Sequence, residues 1–174
     1  MAVHGWTRRE LLRSAALAAG GLALPLRLRA QAAGLDAAAR QAIQQSPLVY
    51  VSPLRRDGQE SRCHAEMWFV PDGDDLLVVT TRQRWRARAI RAGLHRARLW
   101  VGDFGVWTEA KGRFRSAPSF VAEASLVPDV AVRQRALSAF GAKYARDWAK
   151  WGPRFRKGLA DGSRVLIRYR PQAS

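Results

Sequence analysis

Histidine, cysteine and lysine are scarce in this chain. Its 174 residues hold one cysteine, three histidines and four lysines, against 26 arginines. A lone cysteine, Cys63, excludes an internal disulfide. His4 lies near the N-terminus, which leaves His64 and His95 in the body of the chain. One Cys and two His do not make a persuasive zinc site. HExxH, CxxC and GxSxG are all absent, and so is any Walker or Rossmann glycine pattern. No uncharged run approaches the ~20 residues that a membrane-spanning helix needs. An enzyme with this inventory needs a cofactor that brings its own chemistry. Cys63 reads most simply as a small hydrophobe in a strand, and His95 as a solvated loop residue beside Arg96.

What is abundant is positive charge. Thirty Lys plus Arg face 14 Asp plus Glu, a net charge of +16 that favours anionic partners. The arginine fork suits bidentate phosphate binding in a way lysine does not. The densest stretch is 82–98, RQRWRARAIRAGLHRAR, with seven arginines and no acid.

The N-terminus reads as an address. Arg8, Arg9 and Arg13 precede an uncharged stretch from Ser14 to Leu26, and Ala30-Gln31-Ala32 supplies small residues for cleavage. Thr7-Arg8-Arg9-Glu10-Leu11-Leu12 resembles a twin-arginine export signal. Residues 1–32 are therefore expected to be an export signal and 33–174 the mature domain. That domain would be periplasmic or otherwise extracytoplasmic; without a functional leader the chain stays cytoplasmic. The mature part keeps 25 basic and 13 acidic residues and has no transmembrane span.

Along the mature chain, Leu35, Ala39 and Ile43 predict a short amphipathic helix over 35–46. LVYVSPL (48–54), SRCHAEMWFV (61–70) and LLVVTT (76–81) predict strands, with Asp57-Gly58 and Pro71–Asp75 as turns. The third is apolar on both faces and so central. The arginine segment predicts a helix over 83–92 that stops at Gly93. ARLWVGD (97–103), VWTEA (106–110) and PSFVAEASLV (118–127) predict further strands. Asp129 caps a helix whose stripe Val132, Ala136, Phe140, Tyr144, Trp148 reads as a core face. WGPRFRKGLADGS reads as loop and turn, and VLIRY (165–169) as a last strand. Short connections imply an antiparallel sheet: a mainly β chain, a six-stranded, Greek-key-like split barrel with flanking helices.

Two threonines end an apolar strand, and a helix bearing Arg82, Arg84, Arg86 and Arg88 follows at once. Hydroxyls, guanidinium groups and a helix N-terminus at one spot compose a phosphate site. By helical spacing Arg84, Arg88 and Arg91 share one face and Arg82 and Arg86 the next.

At this point the chain resembles the pyridoxamine 5'-phosphate oxidase-like split β-barrels, which bind FMN or the related deazaflavin coenzyme. The resemblance is carried by LVYVSPLRRDGQESRCHAEMWFV, LLVVTTRQRWRARAIRAG and ARLWVGD, over roughly 40–127. It implies a phosphate held by Arg86 and Arg88, with Arg84 and Trp85 beside them. It implies Thr80 and Thr81 on the strand passing the flavin, and Met67, Trp68 and Phe69 on the strand against the ring. It also implies a homodimer with the cofactor between subunits, an oxidoreductase, and a small-molecule substrate. No motif matches the substrate-binding Arg and His of the phosphopyridoxamine oxidase itself, so vitamin B6 oxidation is not implied.

Two other readings stand beside it. Arginines interleaved with Trp85 and Trp100 also fit a non-catalytic nucleic-acid-binding protein, against which the export signal argues. The arginines also fit a solvated face or one drawn to an anionic membrane surface.

Overall fold

The computed structural model describes residues 35–173. The expected leader, 1–32, lies outside them. Twelve elements follow in order: helix α1 (Ala37–Gln45), strands β1 (Val49–Pro53), β2 (Ala65–Met67), β3 (Val70–Asp72) and β4 (Asp75–Thr81), helix α2 (Trp85–Arg91), β5 (Arg96–Val101), a 3₁₀ turn (Arg113–Ser116), β6 (Ser119–Leu126), helices α3 (Val130–Lys143) and α4 (Ala145–Ala160), and β7 (Arg164–Pro171).

All seven strands form one antiparallel sheet in the order β2-β1-β5-β6-β7-β4-β3. The sheet's two end strands are consecutive in the chain, joined only by Trp68 and Phe69. The sheet therefore curls until its edges nearly meet. The expected strand over 61–70 keeps only Ala65–Met67 as β2 and Val70 at the start of β3, and β3 runs into the expected Pro71–Asp75 turn; the sheet has seven strands where six were expected. At the bend Phe69 leaves the ladder, and the Tyr144 hydroxyl replaces its partners. That oxygen accepts the Phe69 N–H at 2.9 Å and lies 2.8 Å from the carbonyls of Phe69 and Pro47. Trp68 stacks flat on the Tyr144 ring, 4.2 Å between centroids.

Strand alternation sorts the core into layers. Val49, Val51, Leu76, Val78, Leu99 and Ile167 fill the barrel with Phe69, and the apolar faces of α1 and α2 join them through Ala39, Ile43, Ala87 and Ile90. Leu77, Val79 and Leu166 point the other way, against Ala136, Phe140, Tyr144, Phe155 and Leu159 of the α3–α4 hairpin. β4 is apolar on both faces because both are covered.

The predicted cap holds: Asp129 accepts from the Val132 N–H at 2.7 Å, and the structure adds a second at α1, where Asp36 accepts from the Ala39 N–H at 2.6 Å. Gly93, at φ +80°, follows α2. Three further expectations fail. The helix opened by Asp129 does not carry its stripe to Trp148: α3 ends at Lys143, Tyr144 takes φ −117° and ψ 40°, and Trp148 belongs to α4. VWTEA is a series of turns, not a strand; Gly105, Lys111 and Gly112 all take positive φ there. The segment is held by sealing Tyr50, Trp100 and Phe114 on the outside of the sheet rather than by a ladder. WGPRFRKGLADGS is mostly helix: α4 runs through Pro153 to Ala160. A proline inside a helix forfeits one hydrogen bond, and burial of Phe155 and Leu159 outweighs that loss. Trp148 wedges between the two helices, where a Cβ at Gly141 or Gly152 would lie 2.8 Å from its ring. Among the described residues no helix is long and apolar enough to cross a membrane.

Candidate functional site

β3 pairs with β4 only from Asp75 to Leu77. Beyond Leu77 the chain that would have continued the pairing has turned away at the Trp68–Phe69 bend. The far end of β4 and the free edge of β2 therefore face each other across a cleft of about 610 Å³. This is the slit of the barrel, with a strand edge on each side. Unpaired strand edges present N–H and C=O groups to whatever fills the gap.

Side chains from six segments converge there: Ala65, Glu66 and Met67 from β2; Val79, Thr80 and Thr81 from β4; Arg84, Trp85 and Arg86 from the α2 entrance; Trp107; Trp151 of α4; and Arg164 of β7. Arg86 is the centre of the charge. Its Nη1 donates to Thr80 Oγ1 at 2.9 Å, and Thr80 is itself 3% exposed. Among the described residues no carboxylate lies within ion-pair distance of Arg86. Burial pulls its pKa below the ordinary arginine value, yet a guanidinium stays charged in proteins. The Glu66 carboxylate of the same cleft acts on Arg86 only from beyond ion-pair distance, so the desolvation of this cation is not offset by a direct ion pair.

The α2 entrance departs from the helical-wheel expectation. Arg84 has extended backbone angles, φ −67° and ψ 147°, as the residue before the helix, so it shares a wall with Arg86 instead of a face with Arg88. Ala87, Ala89 and Ile90 take the buried face, which leaves Arg88 and Arg91 exposed. Arg91 donates to the Arg82 carbonyl and closes the turn from outside. Arg88 does not line the cleft.

Of the other expected residues, Met67, Thr80, Thr81, Arg84, Trp85 and Arg86 come together in the cleft. Trp68 and Phe69 do not. Phe69 is fully buried in the barrel, and Trp68 sits among Tyr144, Trp151 and Phe155 under α4. The bend turns both away from the edge on which Met67 stays. Cys63 is not a strand hydrophobe; it is exposed in the loop before β2, on the cleft rim.

Sequence reasoning missed Glu66, Trp107, Trp151 and Arg164. Glu66 Oε2 accepts the Trp107 backbone N–H at 3.2 Å and so fixes the chain that carries that residue to the cleft. Arg164 faces Thr81 in the ladder, and its stem passes over Gly158, where a Cβ would sit 2.5 Å from Arg164 Cγ. No local signal announces these, because each is distant in sequence from the basic segment. His64 also lines the cleft, ringed by Trp100, Trp107 and Phe114. Burial, then the nearby Arg115 charge, lower its pKa and so favour the neutral imidazole, against a smaller opposing pull from Glu60.

Comparison with family models finds no match, and comparison with curated proteins finds none either. Solved structures do match. HutZ, the heme storage protein from Vibrio cholerae, superposes with a TM-score of 0.54 at 18% identity, over 78% of this chain and 88% of that one. The conserved hypothetical protein Rv2991 from Mycobacterium tuberculosis gives 0.53 at 17%, over 79% and 82%. Campylobacter jejuni ChuZ gives 0.53 at 11%, over 76% and 50%. The chain has the pyridoxamine 5'-phosphate oxidase-like split-barrel fold. At these identities the likeness is one of fold, and it carries none of the neighbours' ligands with it.

Proposed function

We propose that the cleft binds the phosphate and ring of FMN, and that the protein is a flavin-dependent oxidoreductase-like protein acting on a small molecule. One observation carries the reading: Arg86, largely buried, fixed by Thr80 and lacking a direct ion pair, lies between two strand edges. Arg84 and Arg164 add charge to the same cleft, so a phosphate monoester meets several guanidinium groups. Trp85, Trp107, Trp151 and Met67 offer flat, apolar walls to a ring system. The edges of β2 and β4 supply backbone donors and acceptors to the ring's polar rim. A bound flavin supplies the electron-transfer chemistry itself; the chain's part is to hold, orient and shield it. The deazaflavin coenzyme is the alternative occupant, since the same grip serves its phosphate.

The reading includes a homodimer, a second copy walling the open side of the cleft, where Val106 lies 44% exposed next to Trp107. It also includes export by residues 1–32, which a precursor retained on Arg8→Lys plus Arg9→Lys substitution would support. Against a nucleic-acid role, the best-placed arginine points inward to a cleft and not outward along a stripe.

The test is the absorbance spectrum of natively purified protein, alone and with added FMN, for wild type and Arg86→Ala. Flavin bands gained by wild type and lost in the variant support the reading. A Soret band instead would make it a haem protein, an outcome in keeping with His64 at the cleft and with the heme-storing neighbour. No chromophore, with binding to nucleic acid that falls steeply with salt, would overturn it.

A further inference from the structure

The cleft does not end at Trp85. A second hollow of about 680 Å³ opens beside it, and the two share Cys63 and Trp85 as a common wall. Its other side is the loop between β1 and β2, through Arg55, Ser61 and Arg62.

The charges in that loop are not equivalent. Glu60 is neutralised by Arg115 at 2.7 Å and Arg98 at 3.6 Å. Arg55 is committed to Asp57 at 3.3 Å and to the Gln59 side-chain carbonyl. Arg62 is exposed, and among the described residues no carboxylate lies within ion-pair distance of it. Trp85 is half-buried and stands apart from the other described tryptophans. Trp68, Trp100, Trp107, Trp148 and Trp151 each pack on another ring; Trp85 meets neither ring nor cation. One hollow therefore joins an unstacked indole and an uncompensated guanidinium, directly beside the cleft that holds Arg86.

We propose that the second hollow takes the adenylate half of flavin adenine dinucleotide, with the flavin half in the cleft. This rests on the flavin reading and names the cofactor more closely. The purine stacks on Trp85, as bases stack on aromatic side chains in open grooves. The two phosphates of the dinucleotide are met by Arg86 on one side of the indole and Arg62 on the other. Each hollow is of the size that takes one compact ligand, so a molecule spanning both has two halves.

The experiment is calorimetric titration of the full chain with FMN and with FAD, for wild type, Arg62→Ala, Trp85→Ala and Arg86→Ala. Wild type is expected to bind FAD about tenfold or more tightly than FMN, the return on one stacked base and one phosphate contact. Arg62→Ala should bring FAD down toward FMN while leaving FMN affinity in place; Trp85→Ala, whose indole walls the flavin cleft as well, should weaken both flavins with the larger loss on FAD, and Arg86→Ala should weaken both. Arg62 is exposed, so its variant tests the idea even where loss of Trp85 disturbs α2. Equal affinity for the two flavins in wild type, or an Arg62→Ala variant that keeps the full preference for FAD, overturns the adenylate subsite and leaves the FMN reading standing. Failure of both flavins to bind overturns the two together.

Discussion

The hydroxyl of Tyr144 stands in for the missing neighbour strand of Phe69. It accepts the Phe69 N–H at 2.9 Å and lies 2.8 Å from the Phe69 carbonyl, at the one point where the barrel wall changes partners. A strand can leave a ladder only if its backbone groups find other company. Here one side chain, 75 residues away, satisfies that demand and so permits the slit.

Tyr144→Phe should therefore destabilise the fold by about 1–3 kcal/mol, the cost of a buried amide left unsatisfied. Chemical denaturation at equilibrium checks this. A variant as stable as wild type would mean that the bend holds itself.

Lys143 sits next to that pin, its Nζ 3.4 Å above the Phe69 ring and without a hydrogen-bond partner. Burial lowers its pKa from 10.5 to about 8. A lysine whose folded pKa is depressed costs stability while charged, fully so below about pH 8. Above that the native state holds fewer protons than the unfolded one, so stability rises with pH toward 10. The buried tyrosines Tyr144 and Tyr169, with pKa values raised by burial, reverse the slope above about pH 10. Denaturation midpoints across this window should climb for wild type, and Lys143→Met should remove the climb.

Arg86 and Thr80 form the floor of the proposed phosphate site. Arg86→Ala should weaken FMN by about 10- to 100-fold, the worth of a charge-assisted contact. Thr80→Val keeps the cation but frees its Nη1 anchor, so a smaller loss is expected, with the fold retained. Titration by flavin fluorescence separates the two; equal, negligible effects would move the phosphate elsewhere.

Gly158 gives Arg164 its passage to the cleft. A Cβ there would meet Arg164 Cγ at 2.5 Å and Cδ at 2.6 Å, so Gly158→Ala must displace the arginine. FMN affinity should fall as far as it does in Arg164→Ala, and the double variant should fall no further. Additive losses would mean that Gly158 acts through helix packing alone.

Much of the architecture was legible from residue pattern. Apolar runs bounded by Asp-Gly and Pro-Asp turns marked the strands, Asp129 marked a helix start, and the two threonines followed by arginines marked half of the cleft. These are local signals, because caps, turns and face periodicity act over a few residues. Other features rest on distant partners. The split of 61–70 at Trp68–Phe69 depends on Tyr144, the persistence of α4 through Pro153 depends on burial of Phe155 and Leu159, and the turns of 106–110 depend on covering Tyr50 and Trp100. The sequence by itself determined a basic, mainly β chain with a strand-to-helix arginine cluster. Only the tertiary structure decided which arginine is buried without a direct ion pair and which aromatic rings wall the cleft, since both follow from packing between segments up to a hundred residues apart.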